Sequence, residues 1–193
     1  MNLEEVREAA AVCTECALYK GRKKPVFDKG NPDSHIFICG MVPAKDENEA
    51  GIPFVGRAGK LLDEILEDVG ISLYVTPNVY SDDVYITNLV KCFLAAGKKL
   101  ENDWINSCAV YLLAQIELLK PKIIIALGTD ASKSLIGDEF KSISDARKKN
   151  FSLSNGIRIV PTYHPSYLLR NGGKKSKDYV KVIEDFNKAK NLF

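Results

Sequence analysis

Four short apolar runs recur along the chain, and each is separated from the next by a segment with helical spacing: "HIFIC" (35–39), "DVYITN" (83–88), "KIIIALG" (122–128) and "IRIVPTY" (157–163). That alternation constrains the fold more than any other feature. Short apolar runs that end at Gly, Asn or Tyr suit strands buried on both faces. Between them, "AGKLLDEILEDVG" places Leu61, Leu62, Ile65, Leu66 and Val69 on one helical face and stops at Gly70. "NDWINSCAVYLLAQIELLKP" starts at a candidate cap, Asn102, carries Ile105, Cys108, Leu112, Ile116 and Leu119 as its apolar stripe, and ends before Pro121. "TDASKSLIG" reads as a short helix and the stretch from Ser176 to Leu192 as a final one, while Asn2 with Glu5 caps a first helix that delivers Cys13 at its C-terminal end. Strands separated by helices predict an α/β three-layer sandwich with a central four-stranded parallel sheet flanked by helices. Ligands of such sheets bind beyond the carboxyl ends of the strands. The segments "GMVPAKDENEAGIPFVG", "NLVKC", "GTDAS" and "HPSYLLRNGG" therefore meet at one end of the molecule.

A chain of 193 residues that is 46% hydrophobic can bury one core, so a single domain over residues 1–193 is expected. Lys and Arg number 27 against 25 acidic residues, so the chain as a whole does not advertise a polyanion partner. Its basic residues cluster in loop-like segments, however, which permits one positive face on a near-neutral protein. No run of eighteen apolar residues occurs, and "MNLEEVREAAAVC" is an acidic amphipathic start rather than a signal peptide. A cytoplasmic protein with no membrane partner is expected. Five cysteines in a reducing compartment then raise metal binding rather than disulfides. Cys13 and Cys16 form a CxxC, and Cys92 and Cys108 follow with fifteen residues between them. A structural zinc and a cubane iron-sulfur cluster both fit four such thiolates. The plain alternative makes Cys92 and Cys108 small core residues, the role assigned to Cys39 inside the first strand.

Six signatures occur in order: "CTEC", "GIPFVGRAGKLLDEIL", "VYITNLVKC", Cys108 in its helix, "QIELLKPKIIIALG" and "HPSYLLRN". Together they resemble the family-4 uracil-DNA glycosylases, the iron-sulfur branch of that superfamily, and the likeness runs through most of the chain. The resemblance implies a 4Fe-4S cluster on Cys13, Cys16, Cys92 and Cys108, with zinc as the alternative metal. It also implies a monomer that removes uracil from double- or single-stranded DNA, hydrolysing the N-glycosidic bond after base flipping and so initiating base-excision repair. One motif departs from the pattern. The family's first loop usually reads G-E-[AG]-P-G, and here it is "GMVPA": Met41 replaces the glutamate, Val42 a small residue and Ala44 a glycine. That departure motivates a second reading, a glycosylase-like protein that binds DNA or uracil with little or no cleavage.

The resemblance also distributes roles. Phe54 is the surface on which the extruded base stacks. Asn88 reads the uracil edge, because a carboxamide can accept from N3-H and donate to O4, whereas cytosine lacks the first and presents an amino group at the second. His164 donates to O2 as charge builds on the leaving base. Glu47 orients the attacking water, and Val42 and Pro43 line the pocket. Ser166 with its backbone N–H, Leu168 or Leu169, and Arg170 are expected to contact DNA as phosphate grip, wedge and cation, with Lys174 and Lys175 adding charge. His35 is expected to be satisfied by local backbone.

Overall fold

The computed structural model describes residues 1–71, 74–76, 79–80 and 83–192, with residues 74–76 and 79–80 described by their backbone alone. Its strands are β1 (Lys29–Gly30), β2 (Ile36–Gly40), β3 (Tyr74–Thr76), β4 (Val79–Tyr80), β5 (Tyr85–Asn88), β6 (Ile123–Leu127), β7 (Phe151–Ser152) and β8 (Arg158–Thr162). The helices are α1 (Leu3–Val12), α2 (Lys45–Ala50), α3 (Arg57–Asp68), α4 (Asn102–Leu119), α5 (Gly128–Ile136), α6 (Ile143–Ala146), α7 (Pro165–Arg170) and α8 (Tyr179–Lys190).

The main sheet runs β1-β5-β2-β6-β8-β7. Its four central strands are parallel, as the apolar runs predict. The sheet is wider than expected by β1 and β7, two-residue antiparallel strands that protect its edges, and β3 and β4 pair separately as a small antiparallel ladder. Such short pieces carry no apolar periodicity, which is why the sequence does not announce them.

Successive side chains of a strand point to opposite faces, and here both faces are apolar. Ile36 and Ile38, with Ile86, Ile123 and Ile125, pack under Leu62, Ile65 and Leu66 of α3 and Val182 and Phe186 of α8. Phe37 and Cys39, with Tyr85, Ile124 and Ala126, pack against Cys108, Leu112 and Ile116 of α4. This division produces the three layers and fits burial on both sides of a parallel sheet. Cys39 is a core residue, and burial pushes its thiol up to about 12.

Helix ends follow local chemistry. Asn2 and Glu5 form the expected reciprocal cap of α1, and Cys13 is the residue that closes the helix. Gly70, at φ +68°, terminates α3, with the Ile71 N–H returning to the Leu66 carbonyl at 2.8 Å. α4 is preceded by Glu101, without a side-chain cap, so Asn102 lies inside its first turn.

Candidate active site

The carboxyl ends of β2, β5, β6 and β8 border a cavity of about 500 Å³. Of the residues singled out in the sequence, Val42, Pro43, Glu47, Phe54, Asn88, His164, Ser166 and Arg170 all line it. The register explains part of this convergence, because Gly40, the last residue of β2, stands opposite Asn88, the last residue of β5. A Cβ at Gly40 would lie 2.3 Å from Asn88 Oδ1 and 2.5 Å from the Phe54 ring, so only glycine lets those two side chains share the floor.

Phe54 has φ +53°, an unusual conformation for a bulky residue. Surrounding contacts fix it there. The buried Lys29 donates to the Phe54 carbonyl at 2.9 Å, and Glu47 Oε1 accepts from the N–H groups of Val55 and Gly56 at 2.9 and 2.8 Å. Gly59 of α3 leaves space for the same turn, since a Cβ there would come within 2.0 Å of the Phe54 oxygen. The cost of a positive φ is met by these contacts, and the ring is held at the cavity wall. Its centroid lies 6.0 Å from that of His164, with the planes 31° apart.

Asn88 is 2% exposed; its carboxamide forms no hydrogen bond among the described residues and borders the cavity. Its main chain, by contrast, is tightly held. The Asn88 carbonyl accepts from the buried Lys91 ammonium at 2.7 Å, and Lys91 also donates to Thr87 Oγ1 and Gln115 Oε1, each at 2.7 Å. Burial pulls the Lys91 pKa down to about 8, with the nearby Cys108 opposing the shift. The next segment is laced to the first loop, Leu89, Val90 and Leu94 donating their N–H groups to the carbonyls of Gly40, Met41 and Pro43.

His164 precedes α7 and is its N-cap. The Ser166 N–H donates to His164 Nδ1 at 3.0 Å, which makes Nδ1 an acceptor and leaves the proton of a neutral imidazole on Nε2. Burial pushes the imidazole down to about 4, and the positive Arg170 adds to the effect. The side chain is therefore a neutral Nε2–H donor at physiological pH. Gly128, at φ +88°, makes room for it: a Cβ there would sit 3.1 Å from His164 Cβ.

Three expectations change. Leu168 is fully buried in the core, so it is not available to enter DNA, and the partly buried Leu169 is the leucine left near the surface. The Ser166 N–H is spent on His164, which leaves only the hydroxyl for another partner. Lys174 is held by Asp68 at 2.9 Å. Glu47 proves to be a clamp as well as a wall residue: besides the two amides on Oε1, Oε2 accepts from the Ala44 N–H at 3.2 Å. Sequence reasoning missed Asp130, Tyr163, Tyr167 and Leu94 as lining residues. Tyr163 and Tyr167 flank the "HPS" turn four residues apart and stack at 5.0 Å, a spacing the sequence displays once the turn is known.

On the other side of β5, Cys13, Cys16, Cys92 and Cys108 line one small cavity together with Arg22 and Tyr111. Arg22 donates to Cys92 Sγ at 3.2 Å and the Lys91 N–H to Cys108 Sγ at 3.3 Å. Burial raises the Cys108 thiol to about 11 and also raises Cys92. No group of three or more His, Cys, Asp or Glu among the described residues has metal-binding geometry as placed. Four thiols on one cavity, two already receiving N–H donors, form a donor set that fits a thiolate-ligated metal centre.

A sheet covered on both faces, with a cavity at the carboxyl ends of its parallel strands walled by an aromatic ring, a carboxamide and a neutral imidazole, defines an α/β protein with a small-molecule-sized concave site. Residues 27–187 match the family model of the uracil DNA glycosylase superfamily. The chain is 38% identical to a type-4 uracil-DNA glycosylase of Thermotoga maritima over 190 residues, covering 98% of this chain and 94% of that protein. It is 34% identical to another of Sulfurisphaera tokodaii, over 99% of this chain and 84% of that one. A type-5 uracil-DNA glycosylase of Pyrobaculum aerophilum is 29% identical over 81% of this chain and 71% of its own length. This chain belongs to the uracil DNA glycosylase superfamily and, within it, to the type-4 uracil-DNA glycosylases.

Proposed function

We propose that this protein removes uracil from DNA by hydrolysing the N-glycosidic bond of an extruded deoxyuridine, as a single-domain, cytoplasmic monomer that starts base-excision repair. One observation carries the reading: the Asn88 carboxamide, which takes no hydrogen bond from the described residues, lines the same cavity as Phe54 and His164, whose Nδ1 is already paired. An amide that opens onto a cavity with its donors and acceptor uncommitted is free to pair with the edge of a bound base.

Extruding a nucleotide requires a few kcal/mol of unstacking, which stacking on Phe54 partly returns. Asn88 accepts from N3-H and donates to O4, so cytosine leaves it unpaired and is disfavoured. As the bond from C1' to N1 breaks, its electron pair moves onto the uracil, and the His164 Nε2–H stabilises the charge on O2 more than it did the ground state. Glu47 Oε2, which carries a single amide contact, keeps lone pairs to orient the water that bonds to C1'. Its negative charge favours the cationic sugar. Val42 and Pro43 shape the wall beside the base, while Ser166, Leu169 and Arg170 meet the DNA backbone. Cys13, Cys16, Cys92 and Cys108 would hold a 4Fe-4S cluster, which supplies a cross-link between the segment after α1, the loop after β5 and helix α4.

Purified protein with a single-uracil oligonucleotide, followed by alkaline cleavage of abasic sites, tests the reaction. Strand scission and free uracil are expected. An intact strand at enzyme excess, with binding retained, rejects the reaction in favour of the binding protein that Met41 suggests. A brown colour bleached by dithionite is expected of the cluster; a colourless, zinc-loaded protein rejects it.

A further inference from the structure

Beside the base cavity lies a second one, of about 690 Å³, and the two share Ala44, Glu47, Ala58, Leu94, Ser166 and Arg170 as common walls. The far side of the second cavity is built differently from the first. It carries the half-buried ring of Phe93, the partly buried Leu169, and two cations, Lys45 and Arg57, which with the shared Arg170 form no ion pair or hydrogen bond among the described residues. Its carboxylates are Asp46 and Glu47, and Glu47 is already bonded to three backbone N–H groups. Positive charge with one open acid, joined to an apolar ring, suits a ligand that is anionic along one side and flat and aromatic on the other. A nucleotide has that chemistry.

Phe93 is well placed to act as a platform, because the chain is held on both sides of it. The Lys91 carbonyl accepts from the Val26 N–H at 2.7 Å, and the Leu94 N–H donates to the Pro43 carbonyl at 3.2 Å. Fixing the main chain on either side lowers the entropy lost when the ring orders against a base.

We infer that the second cavity is a subsite for the nucleotide adjacent to the extruded uridine in the same strand, its base stacking on Phe93 and its phosphate met by Arg57, Lys45 and Arg170. The inference rests on the glycosylase reading and names what lies next to the uracil. It makes the enzyme sensitive to the neighbour's base as a stacking surface rather than as a sequence letter, since every base offers a π face.

The test uses the whole protein and single-stranded nine-residue oligonucleotides with a central 2'-fluoro deoxyuridine analogue that resists hydrolysis. The nucleotide on its 5' or 3' side is replaced in turn by an abasic tetrahydrofuran spacer, and affinity is read by fluorescence anisotropy. Wild type is expected to lose about tenfold in affinity for a spacer on one side only. Phe93→Ala should bind the all-base oligonucleotide about tenfold more weakly and be indifferent to that spacer, whereas Phe93→Tyr should restore the preference, which a merely structural role for the ring would not predict. Arg57→Ala should lower affinity for every oligonucleotide and reduce the slope of log K against log salt by about 1. The proposal is overturned if wild type ignores spacers on both sides, or if Phe93→Ala weakens spacer and all-base oligonucleotides equally. Failure of the glycosylase reading would show separately, as no free uracil from a hydrolysable oligonucleotide whatever the spacer preference.

Discussion

Asn88 and Lys91 stand three residues apart at the end of β5, and both are buried to within 2% of full inaccessibility. Their polar ends are treated in opposite ways. The Lys91 ammonium has three acceptors at 2.7 Å, so every proton is used within the protein. The Asn88 carboxamide has no hydrogen bond within the described residues and opens onto the cavity. A polar group that opens onto a cavity can be left without a protein partner at little cost, whereas one sealed in the core cannot. The contrast separates a polar group committed inside the protein from one that opens onto the cavity, although both look alike in a burial profile. It also shows how they cooperate, because Lys91 grips the main-chain carbonyl of the residue whose side chain it leaves open.

Removing each side chain should therefore produce opposite signatures. Asn88→Ala is expected to lower kcat/KM for uracil by about a thousandfold, roughly 4 kcal/mol, while the urea midpoint stays within error of wild type. Lys91→Met should do the reverse in rank. Leaving Gln115 Oε1 and the Asn88 carbonyl without their 2.7 Å donor is expected to cost about 3 kcal/mol of stability, read as a lower urea midpoint at unchanged slope. If Asn88→Ala destabilised the protein as much as Lys91→Met, the distinction between the two would fail.

Much of this arrangement can be read from residues alone, for identifiable reasons. The four parallel strands are visible because a strand buried on both sides must be apolar throughout, and each run ends where a loop begins. Phe54, Asn88 and His164 are visible through motif likeness, and the topology brings strand ends together. Three-dimensional detail escapes. Leu168 and Leu169 are neighbours in a leucine pair, and only the rotation of α7 decides that Leu168 faces the core. The clamp made by Glu47 depends on where the N–H groups of Val55 and Gly56 point, which no composition rule supplies. Lys91 reads as an ordinary loop cation until Thr87, Gln115 and the Asn88 carbonyl converge on it. The edge strands β1 and β7 are too short to have a period.

His164 lies between the two extremes, since its Nδ1 is paired with the Ser166 N–H and its other ring nitrogen has no hydrogen bond among the described residues. Its folded pKa, about 4, is below the value of about 6.5 for an unfolded histidine. Between those values the unfolded chain binds a proton that the folded protein refuses, so stability rises with pH across this window. The contribution is complete above pH 6.5 and is lost as pH falls toward 4. Wild type should therefore lose about 2 kcal/mol more than His164→Gln between pH 7 and pH 4.5, measured by urea titration at each pH. Parallel losses in the two proteins would show that the imidazole is not held neutral by the fold.

The smallest expected effect concerns the first loop, where Met41 stands at the cavity wall in place of an acid. A methionine cannot polarise water, so in the proposed mechanism the task rests on Glu47 Oε2, an oxygen that also supports the Ala44 N–H. Met41→Glu adds a second carboxylate on the same cavity, and two such groups near one oxocarbenium-like sugar stabilise its charge further. Turnover on a uracil oligonucleotide is expected to rise about tenfold, near 1.4 kcal/mol in the barrier, with KM little changed because the base contacts at 54, 88 and 164 are untouched. Turnover unchanged by the substitution would show that a carboxylate at position 41 adds nothing to what Glu47 Oε2 already supplies.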